Sequence, residues 1–167
     1  MKANHLLLAA TMCLALNTAT AASPNDAEQI AGEHVILAPE ALEWGEGPKA
    51  LPSGAQAAIL EGDPTKAGAY TLRAKLPAGY KIPPHWHTGD EHVTVIKGTL
   101  YMGMGDVLDE SKSQKLPVGG FALMPKKVHH FAYTGDEEAV IQLHGMGPWD
   151  IIYIDPNDDP RKNMNGN

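Results

Sequence analysis

The sequence contains little cysteine and no long apolar stretch, and each shortage excludes a class of protein. Its one cysteine, Cys13, lies within an apolar run at residues 6–16, so the rest of the chain offers neither a thiol nucleophile nor a disulfide. That run is shorter than the ~20 residues that a helix needs to cross a bilayer. The sequence also lacks a phosphate-binding glycine loop and a nucleophile elbow. Thiol enzymes and P-loop nucleotide enzymes are therefore not expected.

Positive charge is scarce as well, with 13 lysine and arginine residues against 20 aspartate and glutamate residues. The formal net charge of −7 opposes binding to the phosphate backbone of nucleic acids. It gives no reason for attraction to anionic lipid either. We therefore expect a small-molecule substrate or ligand and no nucleic-acid partner.

The N-terminus has the features of a secretory signal peptide. Lys2 precedes the apolar run, and the small residues Ala19, Thr20 and Ala21 follow it, so we expect a signal peptide at residues 1–21 with cleavage before Ala22. This predicts a periplasmic or secreted protein without a membrane anchor in its mature form.

The rest of the chain divides into three parts. Residues 22–33 are expected to be a flexible lead-in, residues 34–155 one β-barrel domain, and residues 156–167 a polar C-terminal tail that frays. The 13 prolines and 17 glycines favour short strands joined by tight turns. Apolar and polar residues alternate over residues 70–76, which predicts a half-buried strand.

Other short segments extend this all-β pattern. Residues 93–96 and 99–102 flank Lys97 and Gly98, which predicts a hairpin. One short helical turn is expected within residues 106–114. Further strands are expected at residues 121–124, 130–133, 140–143 and 151–154. Strands of this length at such spacing are typical of a sandwich or barrel.

The most informative passage is Pro83-Pro84-His85-Trp86-His87, followed by Glu91. Residues i and i+2 of a strand point to the same face, so His85 and His87 present two imidazoles side by side, with Trp86 on the other face. The two prolines keep the approach extended, and Glu91 begins the next strand beside the histidines. Two imidazoles and a carboxylate form a common arrangement for first-row metals.

A fourth ligand is expected from the adjacent residues His129 and His130. Only one of them can face inward on a strand, because successive side chains point to opposite faces. Periodicity alone leaves the choice between them open.

The sequence resembles the cupin superfamily, whose first motif is a glycine, five residues, His-x-His, three or four residues, a glutamate, six residues and a glycine. This chain fills every position of that motif with Gly79, His85, His87, Glu91 and Gly98. The second motif is matched at Gly119, Pro125 and His130, whereas Lys127 stands at an expected glycine and Thr134 at an expected asparagine.

The resemblance implies a double-stranded β-helix, or jelly roll, in a small single-barrel member of the superfamily. It also implies one divalent metal ion inside the barrel, on His85, His87, Glu91 and His130. Similar proteins often dimerise, so a homodimer is expected. The departures at Lys127 and Thr134 are expected to weaken a turn and one structural hydrogen bond rather than the metal site.

Three further residues are candidates for the surroundings of the metal. His129 is expected beside the ligands or at the surface, since its parity is opposite to that of His130. Gln142 and His144 share one strand face and are expected either to line the pocket or to play a structural role.

Three functions fit this site. The first is a dioxygenase-like oxidoreductase that uses Fe(II) or Mn(II) on a small organic molecule, with Glu91 also able to take a substrate proton. The second is a redox-neutral isomerase, lyase or hydrolase that uses Zn(II), Mn(II) or Ni(II) to polarise a carbonyl. The third is non-catalytic binding of a small ligand or of the metal itself.

Overall fold

The computed structural model describes residues 34–163, so the predicted signal peptide, the lead-in at 22–33 and the last four residues of the tail lie outside the described part. The compact unit begins at Val35. Its strands are β1 (Gly45–Glu46), β2 (Gln56–Glu61), β3 (Gly68–Leu76), β4 (Lys81–Trp86), β5 (Glu91–Lys97), β6 (Leu100–Met104), β7 (Gln114–Leu116), β8 (Phe121–Met124), β9 (His130–Thr134), β10 (Ala139–Gly147) and β11 (Ile152–Tyr153). No helix within residues 34–163 is long and apolar enough to cross a membrane.

The strands form two antiparallel sheets. The six-stranded sheet has the order β1-β2-β3-β10-β5-β8, and the five-stranded sheet has the order β11-β4-β9-β6-β7. Every strand pair is antiparallel. The predicted all-β class is confirmed.

The hydrophobic core draws on inward-facing residues of both sheets. In β3, Leu72, Ala74 and Leu76 are buried while the residues between them are partly exposed, as the alternating pattern predicts. From the other sheet, Leu100 and Met102 join the same cluster. Burying a leucine or methionine side chain contributes about 1.5–3 kcal/mol, so this shared core stabilises the packing of the two sheets that carry the site residues.

The predicted hairpin between residues 93–96 and 99–102 is wrong. Strand β5 pairs with β8 and β10, whereas β6 pairs with β7 and β9, so the two lie in different sheets. Gly98 has a φ of 71°, and a Cβ atom there would lie 2.3 Å from the carbonyl oxygen of Glu138. Both strands turn one apolar face to the same core, and this arrangement requires the chain to cross from sheet to sheet at Gly98.

A bulge in β4 determines which face of the sheet the His85 side chain occupies. Ile82 pairs with Ala132 and His85 pairs with His130, so three steps along β4 correspond to two steps along β9. The extra residue falls at Pro83-Pro84, where prolines remove backbone donors from the ladder. Ile82 and His85 therefore both face inward, although simple alternation would place them on opposite faces.

Two short segments outside the sheets also bear on the predictions. A 3₁₀ turn at Glu110–Lys112 confirms the helical turn expected after β6. In the predicted tail, a second turn spans Pro156–Asp158 and a helical turn spans Pro160–Asn163. Arg161 donates hydrogen bonds to the carboxylate of Asp150 at 2.7 Å and to the carbonyl oxygen of Ile151 at 2.8 Å. In the described part of the tail, Arg161 is therefore hydrogen-bonded to the domain.

Candidate metal centre

Three histidines from distant parts of the sequence meet inside the two-sheet domain. His85 lies near the end of β4, His87 follows that strand, and His130 begins β9. All three are at least 97% buried, and one ring nitrogen of each lies within 4.8 Å of those of the other two. Such a group of buried imidazoles is able to hold a metal ion.

Main-chain carbonyl oxygens fix the orientation and the tautomer of each ring. The Nδ1 atoms of His85, His87 and His130 lie 2.7, 2.7 and 3.0 Å from the carbonyl oxygens of Pro83, Asp150 and Val128. A carbonyl oxygen can only accept a hydrogen bond, so each Nδ1 carries a proton and donates it. In the neutral imidazole the Nε2 atom then keeps its lone pair, which is the form that binds metals.

The Nε2 atoms supply an independent test of whether a metal fits. Those of His87 and His130 are buried and have no hydrogen-bond partner. Leaving a buried polar atom without a partner costs about 1–3 kcal/mol, so two such atoms facing one another need an explanation. A divalent cation accepts several nitrogen lone pairs at once, and the residues present therefore fit a transition metal.

Glu91 adds a carboxylate to the three imidazoles. It begins β5, is 4% exposed, and places Oε2 at 3.3 Å from Nε2 of His87, without the alignment of a hydrogen bond. Its other oxygen, Oε1, accepts a hydrogen bond of 2.7 Å from the indole N–H of Trp149. The structure thus brings together all four side chains that the sequence proposes as metal ligands.

Burial keeps two of the imidazoles neutral. It lowers the pKa of His85 to about 3, with a further contribution from the neighbouring rings of His130 and His87. Burial also lowers the pKa of His130, against the smaller effect of its hydrogen bond to Val128. Both rings therefore have their lone pairs free at neutral pH.

His87 and Glu91 form a coupled buried pair. Burial is the largest single effect on the pKa of His87 and lowers it, but Glu91 and Asp150 together outweigh burial, and the net pKa is raised. Burial is also the largest effect on Glu91 and favours its neutral form, yet His87, His130 and the hydrogen bond from Trp149 together outweigh it and lower the pKa of Glu91 to about 2. The centre therefore contains an anionic carboxylate that favours a bound cation, whether a proton on His87 or a metal ion.

The ligands face an apolar cavity between the sheets. Its volume is about 30 Å³, which is room for about two molecules of the size of water. No lysine or arginine is found among its lining residues within the described chain, and Trp149 already uses its N–H on Glu91. Apart from the four ligand candidates, the lining consists of Pro48, Leu51, Leu72, Ala74, Leu76, Ile82, Val93, Leu100, Met102, Ala132, Ile141, Leu143, Trp149 and Ile151.

Gln142 and His144 do not line this cavity, so that predicted role is wrong. Their neighbours Ile141 and Leu143 face the cavity, and alternation along β10 places the two polar side chains on the outer face. Gln142 accepts a hydrogen bond of 3.2 Å from Nε of Arg73. His144 stacks on a histidine of β5, with the ring centroids 4.6 Å apart.

His129 points away from the centre, as its parity predicts. Its Nδ1 atom lies 2.6 Å from Oδ1 of Asp106, and 40% of its side chain is exposed. It is a surface group rather than part of the pocket.

The two departures from the second motif leave the local structure intact. Lys127 adopts a φ of 64°, the left-handed conformation for which glycine is suited, and its N–H still donates to the carbonyl oxygen of His87. Thr134 is buried, and its hydroxyl accepts from the N–H of Tyr80 at 2.8 Å while donating to the carbonyl oxygen of Pro77 at 2.6 Å. Thr134 therefore makes two structural hydrogen bonds at the position where the motif has an asparagine.

Sequence reasoning missed the segment after β10 that completes the site. Trp149 contacts Glu91 and stacks on His87, with ring centroids 5.8 Å apart, and the carbonyl oxygen of Asp150 holds the His87 ring. The one sequence feature that could have indicated this segment was a tryptophan directly after Gly147-Pro148. The role of the Asp150 carbonyl oxygen could not be predicted from the sequence, because every residue has a main-chain carbonyl group.

Comparison with known proteins places this architecture in context. A family model described as the ChrR cupin-like domain matches residues 32–150. No curated protein sequence matches the chain. The fold is similar to that of the polyketide cyclase RemF from Streptomyces resistomycificus, with a TM-score of 0.62, 13% identity, and coverage of 78% of this chain and 92% of that one.

Two further solved structures share the fold. One is a protein from Methylibium petroleiphilum provisionally named an acetylacetone dioxygenase, with a TM-score of 0.56, 18% identity, and coverage of 77% of this chain and 85% of that one. The other is an RmlC-like cupin from Shewanella frigidimarina, with a TM-score of 0.53, 15% identity, and coverage of 68% and 90%. At these identities the likeness concerns the fold alone.

Proposed function

The chain belongs to the ChrR cupin-like domain family, and from that premise we propose that it is a metal-dependent, dioxygenase-like enzyme acting on a small organic molecule. The observation that carries the proposal is the convergence of three buried imidazoles and one carboxylate in a cavity with an otherwise apolar lining. His85, His87, Glu91 and His130 would hold one divalent ion, with Fe(II) or Mn(II) favoured. When bound, such an ion supplies adjacent open positions for a substrate oxygen and for dioxygen.

The chain's own residues divide the remaining work. The backbone carbonyl oxygens keep the three rings in their metal-binding tautomer, and the apolar walls exclude bulk water from the reacting groups. The Glu91 carboxylate lines the cavity, so its position would let it take a substrate proton. The absence of cationic side chains among the described lining residues disfavours substrates that carry phosphate or carboxylate groups.

The lining favours a compact, uncharged substrate that is able to enolise, and its binding would require the cavity of about 30 Å³ to widen. The fold likeness to a protein provisionally named an acetylacetone dioxygenase supports small 1,3-dicarbonyl compounds as the first substrates to test. The experiment is to purify the protein without a His-tag, load it anaerobically with Fe(II) or Mn(II), and measure oxygen uptake with a series of such compounds. We expect uptake that requires metal and that disappears in the Glu91→Gln and His85→Ala/His87→Ala variants. Metal-loaded protein that takes up no oxygen with any member of the series would contradict the proposal.

A second candidate is a redox-neutral reaction with Zn(II), Mn(II) or Ni(II). The same donor set with Glu91 as base suits carbonyl polarisation, and the likeness to a polyketide cyclase fits it. Zinc as the metal retained on purification, with product formed under anaerobic conditions, would favour this reaction over the first.

A third candidate is non-catalytic binding, and the cavity volume of about 30 Å³ favours it. Such a cavity accommodates an ion and its water ligands but not an organic substrate, unless the entrance opens. Tight metal binding without turnover in either assay would favour this role.

Export to the periplasm or the medium, by cleavage before Ala22, and assembly as a homodimer complete the proposal. Cell fractionation with N-terminal sequencing tests the first, and light scattering of the purified protein tests the second. A chain that retains residues 1–21 in the cytoplasm would refute export, and a monomeric mass would refute the dimer.

A further inference from the structure

We propose that Trp149 is a positioning residue that holds Glu91 as a ligand through one oxygen only and keeps the other oxygen away from the metal. The inference rests on the proposed metal site, but it concerns a residue outside the motif. Trp149 lies in the segment between β10 and β11, next to the Gly147-Pro148 turn.

The hydrogen bond from Trp149 makes the two carboxylate oxygens of Glu91 inequivalent. Oε1 accepts the indole N–H at 2.7 Å, whereas Oε2 faces Nε2 of His87 at 3.3 Å. A carboxylate that rotated to bring both oxygens to the metal would lose this bond and would leave a buried N–H without a partner, which is costly. The carboxylate is itself 96% buried, so water does not compete easily for Oε1.

The tryptophan is held in place from two other directions. Its ring stacks on that of His87 at a centroid distance of 5.8 Å and an interplanar angle of 25°. Its backbone N–H donates to the carbonyl oxygen of Pro64 at 2.7 Å. The next residue, Asp150, accepts the His87 ring proton, and its carboxylate accepts from Arg161. One segment therefore supports both a carboxylate ligand and an imidazole ligand.

The substitution that tests the hydrogen bond is Trp149→Phe, because it removes the N–H donor and keeps an aromatic ring, although a smaller one, against His87. We expect metal affinity to fall about ten-fold, as is usual for groups that orient a ligand. The visible absorption of the Co(II)-loaded protein should also change, because its bands report the coordination number and a freed carboxylate can bind through both oxygens. The control is Trp86→Phe, which makes the same change beside two ligands but on the outward-facing side of β4.

A double-variant cycle separates positioning from packing. If Trp149 acts through Glu91, Trp149→Phe should change the affinity less than two-fold in a Glu91→Gln background, since the carboxylate is already absent. An equal ten-fold loss in both backgrounds would show that Trp149 only packs against His87, and would overturn the proposal. An unchanged affinity and Co(II) spectrum in Trp149→Phe alone would overturn it as well.

The metal-free protein distinguishes this inference from the proposed function. In ¹H–¹⁵N spectra, one of the three indole N–H signals should exchange slowly with solvent and should shift in Glu91→Gln but not in His129→Ala. If that signal is present and the wild-type protein binds no metal, the proposed function fails while the contact stands. If no indole signal responds to Glu91→Gln, the positioning role fails whatever the metal content.

Discussion

Three histidines that face the interior and three that lie on the outside of the molecule differ in almost every property that matters for chemistry. His85, His87 and His130 face the interior, and each donates Nδ1–H to a main-chain carbonyl oxygen. The outer group consists of His92 and His144, which stack on each other, and His129, which contacts a carboxylate.

Adjacent residues in this sequence lie in very different environments. His130 is 99% buried, while the side chain of His129, one residue earlier, is 40% exposed. Likewise, Glu91 faces the cavity, and the adjacent His92 lies on the outer face opposite His144. The alternation of side chains along a strand determines whether a histidine faces the interior. On the inner side, main-chain carbonyl oxygens bind Nδ1 and leave Nε2 available to a metal ion.

The largest expected effect comes from removing one pair of histidines from each group. His85→Ala/His87→Ala should lower metal affinity by at least about 100-fold, because ligands matter more than the groups that orient them. The matched pair His92→Ala/His144→Ala should leave affinity within two-fold. Inductively coupled plasma mass spectrometry after dialysis against a metal buffer measures both. Full metal content in the inner variant, or loss of metal in the outer one, would contradict the assignment of the inner histidines as the metal ligands.

A smaller effect concerns the protons displaced by the metal. At pH 6 the pKa of His85, about 3, keeps that ring neutral and the pKa of His130 is lowered as well, whereas the raised pKa of His87 keeps a proton on that ring. Metal binding should therefore release fewer than two protons. Three histidines with the ordinary pKa of about 6.5 would release about two.

Calorimetry in buffers of different ionisation enthalpy measures this number at pH 6. Because the bound proton competes with the metal, affinity should weaken as pH falls through the raised pKa of His87. Release of two or more protons would show that the inner rings are no more shielded than the outer ones.

The smallest expected effect is at the outer pair of His129 and Asp106. Asp106→Asn should change the free energy of unfolding by less than about 1 kcal/mol, because the two groups are 40% and 64% exposed and solvent screens their interaction. Metal affinity should stay unchanged. Urea denaturation with a metal-content measurement checks both, and a loss of metal would show that the outer group supports the inner one.

The sequence predicts the site better than the connections around it. Local spacing on strands predicts His85, His87 and Glu91, whereas His130 was chosen over His129 from the cupin resemblance, and the positions of most strands follow from alternation. The hairpin at Gly98 was wrong because alternation does not say which strand a chain will pair with next. The two-residue alternation of strand side chains likewise could not predict the bulge at Pro83-Pro84, although this bulge places His85 on the inner face.

Other errors have simpler causes. Gln142 and His144 were considered for the pocket, although the apolar neighbours Ile141 and Leu143 already indicated which face of β10 is buried. Trp149 was missed because its contact with Glu91 joins residues 58 positions apart, and no local pattern reports such a distance.

The carbonyl oxygens that hold the three inner rings also have a consequence for how the site tolerates sequence change. Every amino acid supplies such an oxygen, so substitutions at positions 83, 128 and 150 can accumulate while the same ring protons remain bound. A mutational scan should therefore find these positions permissive for ring orientation. An insertion or deletion beside any of them would displace the acceptor itself. The amino-acid identity at these positions can therefore change in evolution far more freely than the length of the chain around them.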